Sequence, residues 1–223
     1  MFADRIDAGR QLAQALARFA DAPDAVVLGV PRGGVVVAAE VARALRLPLD
    51  VVVASKVGAP GNPEYAVGAV APDGIATPNE RGGYAAEDLR ELADPVQAKI
   101  ARRLDAFRGG RSELDVAGKT VIVIDDGIAT GLTMRAAVEY LRRRGAGRVI
   151  VAVPVAASDS KRMLERSADE VIALDAPRDF WAVGQFYRHF AQTEDAEVVR
   201  LLSDANESAT RRWRSSSDPP KQS

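Results

Sequence analysis

A chain of 223 residues, 47% hydrophobic and 27% charged with a formal net charge of -1, can fill one sizeable core but has no long-range field to attract nucleic acid or an anionic membrane. The absence of cysteine and the presence of a single histidine, His189, exclude disulfides, thiolate metal sites, cysteine nucleophiles and paired-histidine zinc sites. The first ten residues carry Asp4, Arg5, Asp7 and Arg10 without a long apolar run, so neither a signal peptide nor a membrane span is expected and the chain reads as cytoplasmic.

In chain order, a helical period at 6–19 precedes an apolar strand-like run at 25–30, a tight turn of Pro31, Arg32, Gly33 and Gly34, and a second helical period at 35–45. A second apolar run, 49–54, is expected to end at Ser55 and Lys56. The Gly- and Pro-rich stretch 58–83 is too long for an ordinary connection and predicts a functional loop or a small hairpin. A helix follows at 87–107, with Pro95 expected to kink or break it. Runs at 121–124, 149–153 and 170–174 then alternate with helical periods at 133–144 and 158–166. Such alternation predicts an α/β fold, a doubly wound and mostly parallel sheet of about five strands flanked by helices. One domain is expected over 1–203, followed by a disordered tail at 204–223 that is rich in Ser, Pro and Arg.

The strongest motif is VIVIDDGIATGLTM, residues 121–134, where an apolar strand runs into two carboxylates, a Gly and Thr loop and then a helix. Ligands of open α/β sheets sit beyond the carboxyl ends of strands, where Asp125 and Asp126 fall. The following helix N-terminus offers unpaired N–H groups to a phosphate, with Thr130 and Thr133 adding hydroxyls. Carboxylates beside a phosphate suit a sugar diol and Mg²⁺, hence a ribose 5-phosphate. The plainer reading is an acidic pair that only caps the next helix. The loop lacks the ending of a Walker A motif and the spacing of a dinucleotide fingerprint.

Residues 121–134 resemble the signature of the type I phosphoribosyltransferases, which bind phosphoribosyl pyrophosphate (PRPP). The resemblance implies that fold, with a flexible loop at about 56–84 and a C-terminal hood at about 175–203. It also implies that Asp125 and Asp126 contact the ribose hydroxyls, directly or through Mg²⁺ held mostly by ligand and water. Ala129, Thr130, Gly131, Leu132 and Thr133 would wrap the 5-phosphate. The turn of Arg32, Gly33 and Gly34 resembles the family's pyrophosphate loop, although alone it reads as a βα turn with a surface arginine. Lys56 would receive departing pyrophosphate, Glu64 would be a loop acid and Tyr65 would cover the ribose; a solvated charge and an ordinary hairpin are the plainer readings.

The implied activity is Mg²⁺-dependent transfer of the phosphoribosyl group from PRPP to a nitrogenous base, with inversion and release of pyrophosphate, in nucleotide metabolism. Ala129 stands where hypoxanthine-guanine members carry an Asp, which disfavours 6-oxopurines and leaves the acceptor open. In the aromatic segment 176–190, Phe180 and Trp181 would stack a base or the aromatics would pin the segment to the sheet. Two other readings stand beside the enzyme: a PRPP-responsive regulator without turnover, and a phosphoribosyl hydrolase. Arg142, Arg143 and Arg144 fit a helix C-terminus better than a nucleic-acid patch. PRPP and a small base are the expected partners, with no nucleic acid and no membrane, and a homodimer is compatible with the fold.

Overall fold

The computed structural model describes residues 1–80, 82–85 and 87–216, with side chains described as far as residue 207. Five strands form one parallel sheet: β1 (Ala25–Gly29), β2 (Leu49–Val51), β6 (Thr120–Ile124), β7 (Arg148–Val155) and β8 (Glu170–Asp175), in the order β2-β1-β6-β7-β8. Their sequences are nearly continuous runs of Val, Ile and Ala because helices cover both faces, leaving few positions that face water. Alternation along each strand then decides which helices it meets. Val27, Ile122, Ile124 and Ile150 pack with α1 (Arg5–Ala15), α2 (Gly33–Leu45), α3 (Arg90–Arg108) and α6 (Asp195–Ser216). Val26, Val121, Val123 and Val151 face the other way, onto α4 (Leu132–Arg143) and α5 (Ser158–Leu164). The expected doubly wound sheet is therefore present.

Because β6 is central and Ile122 is completely buried, Ile122→Ala removes apolar contacts that no neighbour can replace. A loss of about 2–5 kcal/mol is expected, lowering Tm by roughly 10 °C. A shift below about 3 °C in a thermal scan would contradict this account of the core.

The Gly- and Pro-rich stretch forms a small antiparallel sheet of β3 (Ser55–Ala59), β4 (Asn62–Val70) and β5 (Ala76–Pro78), the hairpin alternative of the sequence reading. It sits on α4. Thr77 Oγ1 donates to Glu139 Oε2 at 2.5 Å, and Arg135 donates to Glu80 at 2.9 Å and to the Pro78 carbonyl.

Three expectations need correction. Lys56 does not end the second strand: β2 stops at Val51, and Lys56 lies in β3, opposite Ala69. The helix does not break at Pro95, because Arg90–Arg108 runs through it and is anchored by buried Ala93, Ile100, Leu104 and Phe107. Proline in the second turn removes only one backbone bond. The expected tail is helical as far as Ser216, since α6 buries Val198 and Leu202 and carries its turns onward; residues 217–223 of that tail lie outside those described. No helix among the described residues is long and apolar enough to cross a membrane.

Candidate active site

Strands β1 and β6 are paired residue for residue from Ala25 with Thr120 to Gly29 with Ile124, so their loops leave the sheet side by side. The Val30 N–H donates to the Ile124 carbonyl at 2.8 Å, extending that pairing into the loops. Gly33 and Gly34 then fall directly on Asp125 and Asp126. A Cβ at Gly34 would lie 2.7 Å from Asp125 Cα and 2.8 Å from both Asp125 Oδ1 and the Ile124 carbonyl. A Cβ at Gly33 would strike Asp126 Oδ2 and come within 2.6 Å of Arg5 Nε. These two glycines are needed for close approach. The two motifs, about ninety residues apart in the chain, thus make one cluster.

Within it, the Asp126 N–H donates to Asp125 Oδ1 at 2.8 Å. Burial and then the Asp126 charge hold the Asp125 carboxyl well above its ordinary range. Arg5 Nε donates to Asp126 Oδ2 at 2.7 Å, in an ion pair with only 12% and 14% of the two side chains exposed. The Tyr187 hydroxyl donates to the Asp126 carbonyl at 2.6 Å. Burial, with the Asp126 charge next, raises the Tyr187 pKa and keeps its proton in that bond. Arg32 reaches Asp195 at 3.9 Å across a half-exposed contact of little energetic weight.

From Asp126 the chain passes through buried Gly127 and Ile128 to exposed Ala129 and Thr130. Its exit is bound to the end of β7: Ile128 N–H donates to the Val155 carbonyl at 2.9 Å and Ala157 N–H to the Ile128 carbonyl at 2.8 Å. Ser160 Oγ donates to the Ala129 carbonyl at 2.5 Å. Gly131 caps α4 with φ +73°, a left-handed conformation that suits glycine. Leu132 packs with Ala69 and Ala136, and Thr133 is half-buried. The backbone at 129–133 therefore presents a helix N-terminus held from two sides, whose unpaired N–H groups favour an anion.

A cavity of about 1090 Å³ opens over this loop. Lys56, Glu64 and Tyr65 of the small sheet line it together with Ala129 and Thr130 of the loop and Arg178 and Phe180. Arg135, Arg162 and Arg166 also line it, against Glu80 and Asp159, so cations outnumber acids around it, as suits a polyanion.

The structure thus brings Lys56 and Glu64 to the loop 129–133. Asp125, Asp126, Arg32, Gly33 and Gly34 form the adjoining cluster but do not line the cavity itself. Phe180 faces the cavity and meets Phe186 at 5.2 Å between ring centroids. Trp181 does not line it and is 89% exposed, so the expected stacking pair is reduced to one ring. Tyr187 instead pins its segment, 5.4 Å from the Phe2 ring and 5.0 Å from Phe190. His189 is exposed. Sequence reasoning missed Arg5 and Ser160, and had Tyr187 only among the aromatics that would pin their segment, because these contacts reach across 121, 31 and 61 residues and leave no local pattern.

For a divalent cation, the donor set is the Asp125 and Asp126 oxygens, and the described residues offer no cluster of three or more His, Cys, Asp or Glu suited to a metal. Two carboxylates fit Mg²⁺ that brings ligand and water oxygens with it.

The family model described as phosphoribosyl transferase domain matches residues 3–190. A Mycobacterium tuberculosis H37Rv protein whose name proposes a phosphoribosyl transferase is 46% identical over 212 residues, covering 92% of this chain and 47% of that protein. This chain spans about half the length of the curated relatives it matches. The crystal structure of TT1426 from Thermus thermophilus superposes with a TM-score of 0.79 at 43% identity, covering 91% of this chain and 98% of that one. A purine phosphoribosyltransferase from Pyrococcus horikoshii shares the fold at 18% identity, with a TM-score of 0.50 over 87% of this chain and 97% of that one.

Proposed function

The chain belongs to the phosphoribosyl transferase domain family, and from that membership we propose that it moves the 5-phosphoribosyl group of PRPP to a nitrogenous base and releases pyrophosphate. The observation that carries this reading is the packing of the Gly33–Gly34 turn onto Asp125 and Asp126, beside the helix N-terminus at 129–133. In this reading the three are a pyrophosphate turn, a diol-binding acid pair and a phosphate cradle, which one ligand would span.

In this reading the 5-phosphate sits on the N–H groups of 129–133, and the ribose hydroxyls meet the acid pair. The base nitrogen attacks ribose C1 as the C1–O bond breaks, the bonding electrons leave with pyrophosphate, and the nitrogen's proton passes to water. Asp125 and Asp126 lie where positive charge develops on the ribose and support it electrostatically. Arg32 and Lys56 take up pyrophosphate charge. Asp125 and Asp126, with ligand and water oxygens, would hold Mg²⁺, which would supply further neutralisation of the leaving group. The strands hold both loops rigidly, so positioning carries much of the rate.

Calorimetric titration with PRPP and Mg²⁺ tests the reading. Wild type is expected to bind, and the Asp125→Asn, Asp126→Asn double variant to lose the heat signal while remaining folded. No binding by wild type, or equal binding by the folded double variant, rejects the assignment.

A further inference from the structure

Arg5 has no part in the chemistry just described, yet three contacts hold its side chain beside Asp126. Its Nε donates to Asp126 Oδ2 at 2.7 Å, its Nη1 donates to the Ala191 carbonyl at 2.7 Å, and its guanidinium lies 3.9 Å from the centroid of the Phe190 ring. The elements that hold it are themselves joined. Phe2 N–H donates to the Phe186 carbonyl at 2.8 Å, Arg188 N–H to the Phe2 carbonyl at 2.9 Å and His189 N–H to the Ala3 carbonyl at 3.0 Å. Residues 2–5 and 186–191 form a clasp, and Tyr187 and Arg5 bring it to the carbonyl and the carboxylate of Asp126.

We propose that Arg5 is a positioning residue for the phosphoribosyl site, fixing the orientation of the Asp126 carboxylate that meets the ligand. The inference rests on the phosphoribosyl reading above. Arg5 donates to Oδ2 from the side of the N-terminal helix, which fixes the Asp126 carboxylate beside the Asp125 carboxyl. The bare Gly33 is what lets Arg5 and Asp126 meet, since a side chain there would push between them. A largely buried ion pair is a poor source of stability by itself, which argues that its geometry serves the site. Arginine suits this place better than lysine: the planar fork meets a carboxylate, a carbonyl and an aromatic face in one fixed geometry, where an ammonium is a flexible point charge.

The test compares wild type, Arg5→Lys and Arg5→Gln with two probes, PRPP with Mg²⁺ and inorganic pyrophosphate without it. Pyrophosphate is read by competition against metal-free PRPP where it binds too weakly to titrate. Metal-free pyrophosphate brings neither ribose hydroxyls nor a cation for Asp126 to hold, and does not need that carboxylate to be oriented. Arg5→Gln is expected to weaken PRPP about tenfold or more while pyrophosphate changes less than about twofold, and Arg5→Lys to fall between. Parallel weakening of both probes would assign Arg5 to the fold alone. Unchanged or tighter PRPP binding would show that it does not position Asp126 for the ligand. Failure of the wild type to bind PRPP overturns this proposal together with the function on which it rests, whereas the other adverse results overturn the proposal alone.

Discussion

Gly34→Val is expected to lower Tm by roughly 10 °C or more and to abolish PRPP binding. The glycine is buried, and the atoms that a Cβ would meet at 2.7–2.8 Å include Asp125 Cα and the Ile124 carbonyl, both backbone. A flexible side chain can swing aside, but the end of a central strand cannot. Over-packing costs about 1–3 kcal/mol when side chains can adjust, and more is expected here, where the backbone itself must move. For a chain of this size each kcal/mol is worth roughly 2–4 °C. The same displacement would part the two loops, so stability and binding should fall together. A folded Gly34→Val protein with wild-type affinity would mean that the contact between the turn and the acid pair is not part of the site.

Asp125→Asn separates the two properties. Its carboxyl pKa is raised above the ordinary 3.8, by burial first and the neighbouring Asp126 charge second, so ionising it in the fold costs stability. Below the ordinary value the group is neutral in folded and unfolded chains alike. As pH rises through the elevated folded value, the unfolded chain gives up its proton first and stability is lost. Asparagine keeps an oxygen that can accept the Asp126 N–H and avoids that loss. The variant should therefore melt higher than wild type, with a gap that widens as pH rises from 4 and then levels off. Its PRPP affinity should drop roughly 10- to 100-fold, the loss of a charge-assisted hydrogen bond. Melts across pH 4 to 8 with parallel titrations check both halves. An Asn variant less stable than wild type at pH 7 would refute the electrostatic account of the pair.

The sheet was legible because its signals are local. Runs such as 121–124 and 149–153 need only their own composition to read as buried strands, and β6 and β7 lie where those runs fall. The acid pair and the glycine turn were legible for the same reason, each being a short loop between a strand and a helix. What the sequence could not carry was mutual position. Arg5 sits in an ordinary amphipathic helix, and nothing in its neighbours shows that it reaches Asp126. Trp181 and Tyr187 are both aromatic in one aromatic stretch, yet one is in solvent and the other under the site, a difference set by Phe2 from the far end of the chain. The helix beyond residue 204 was hidden by its composition: Ser and Arg read as solvated, while Val198 and Leu202, just upstream, do the anchoring.

The pairing of β1 with β6 also sets an order of assembly during synthesis. Gly29 leaves the ribosome about 95 residues before Ile124, and at typical elongation rates that interval is roughly 5–20 s. Throughout it, β1 can pair with β2 on one edge while its other edge has no native partner. The nascent chain therefore carries an open apolar strand edge for seconds, a target for chaperones or for aggregation, and completion of β6 closes that edge and creates the acid pair in the same event.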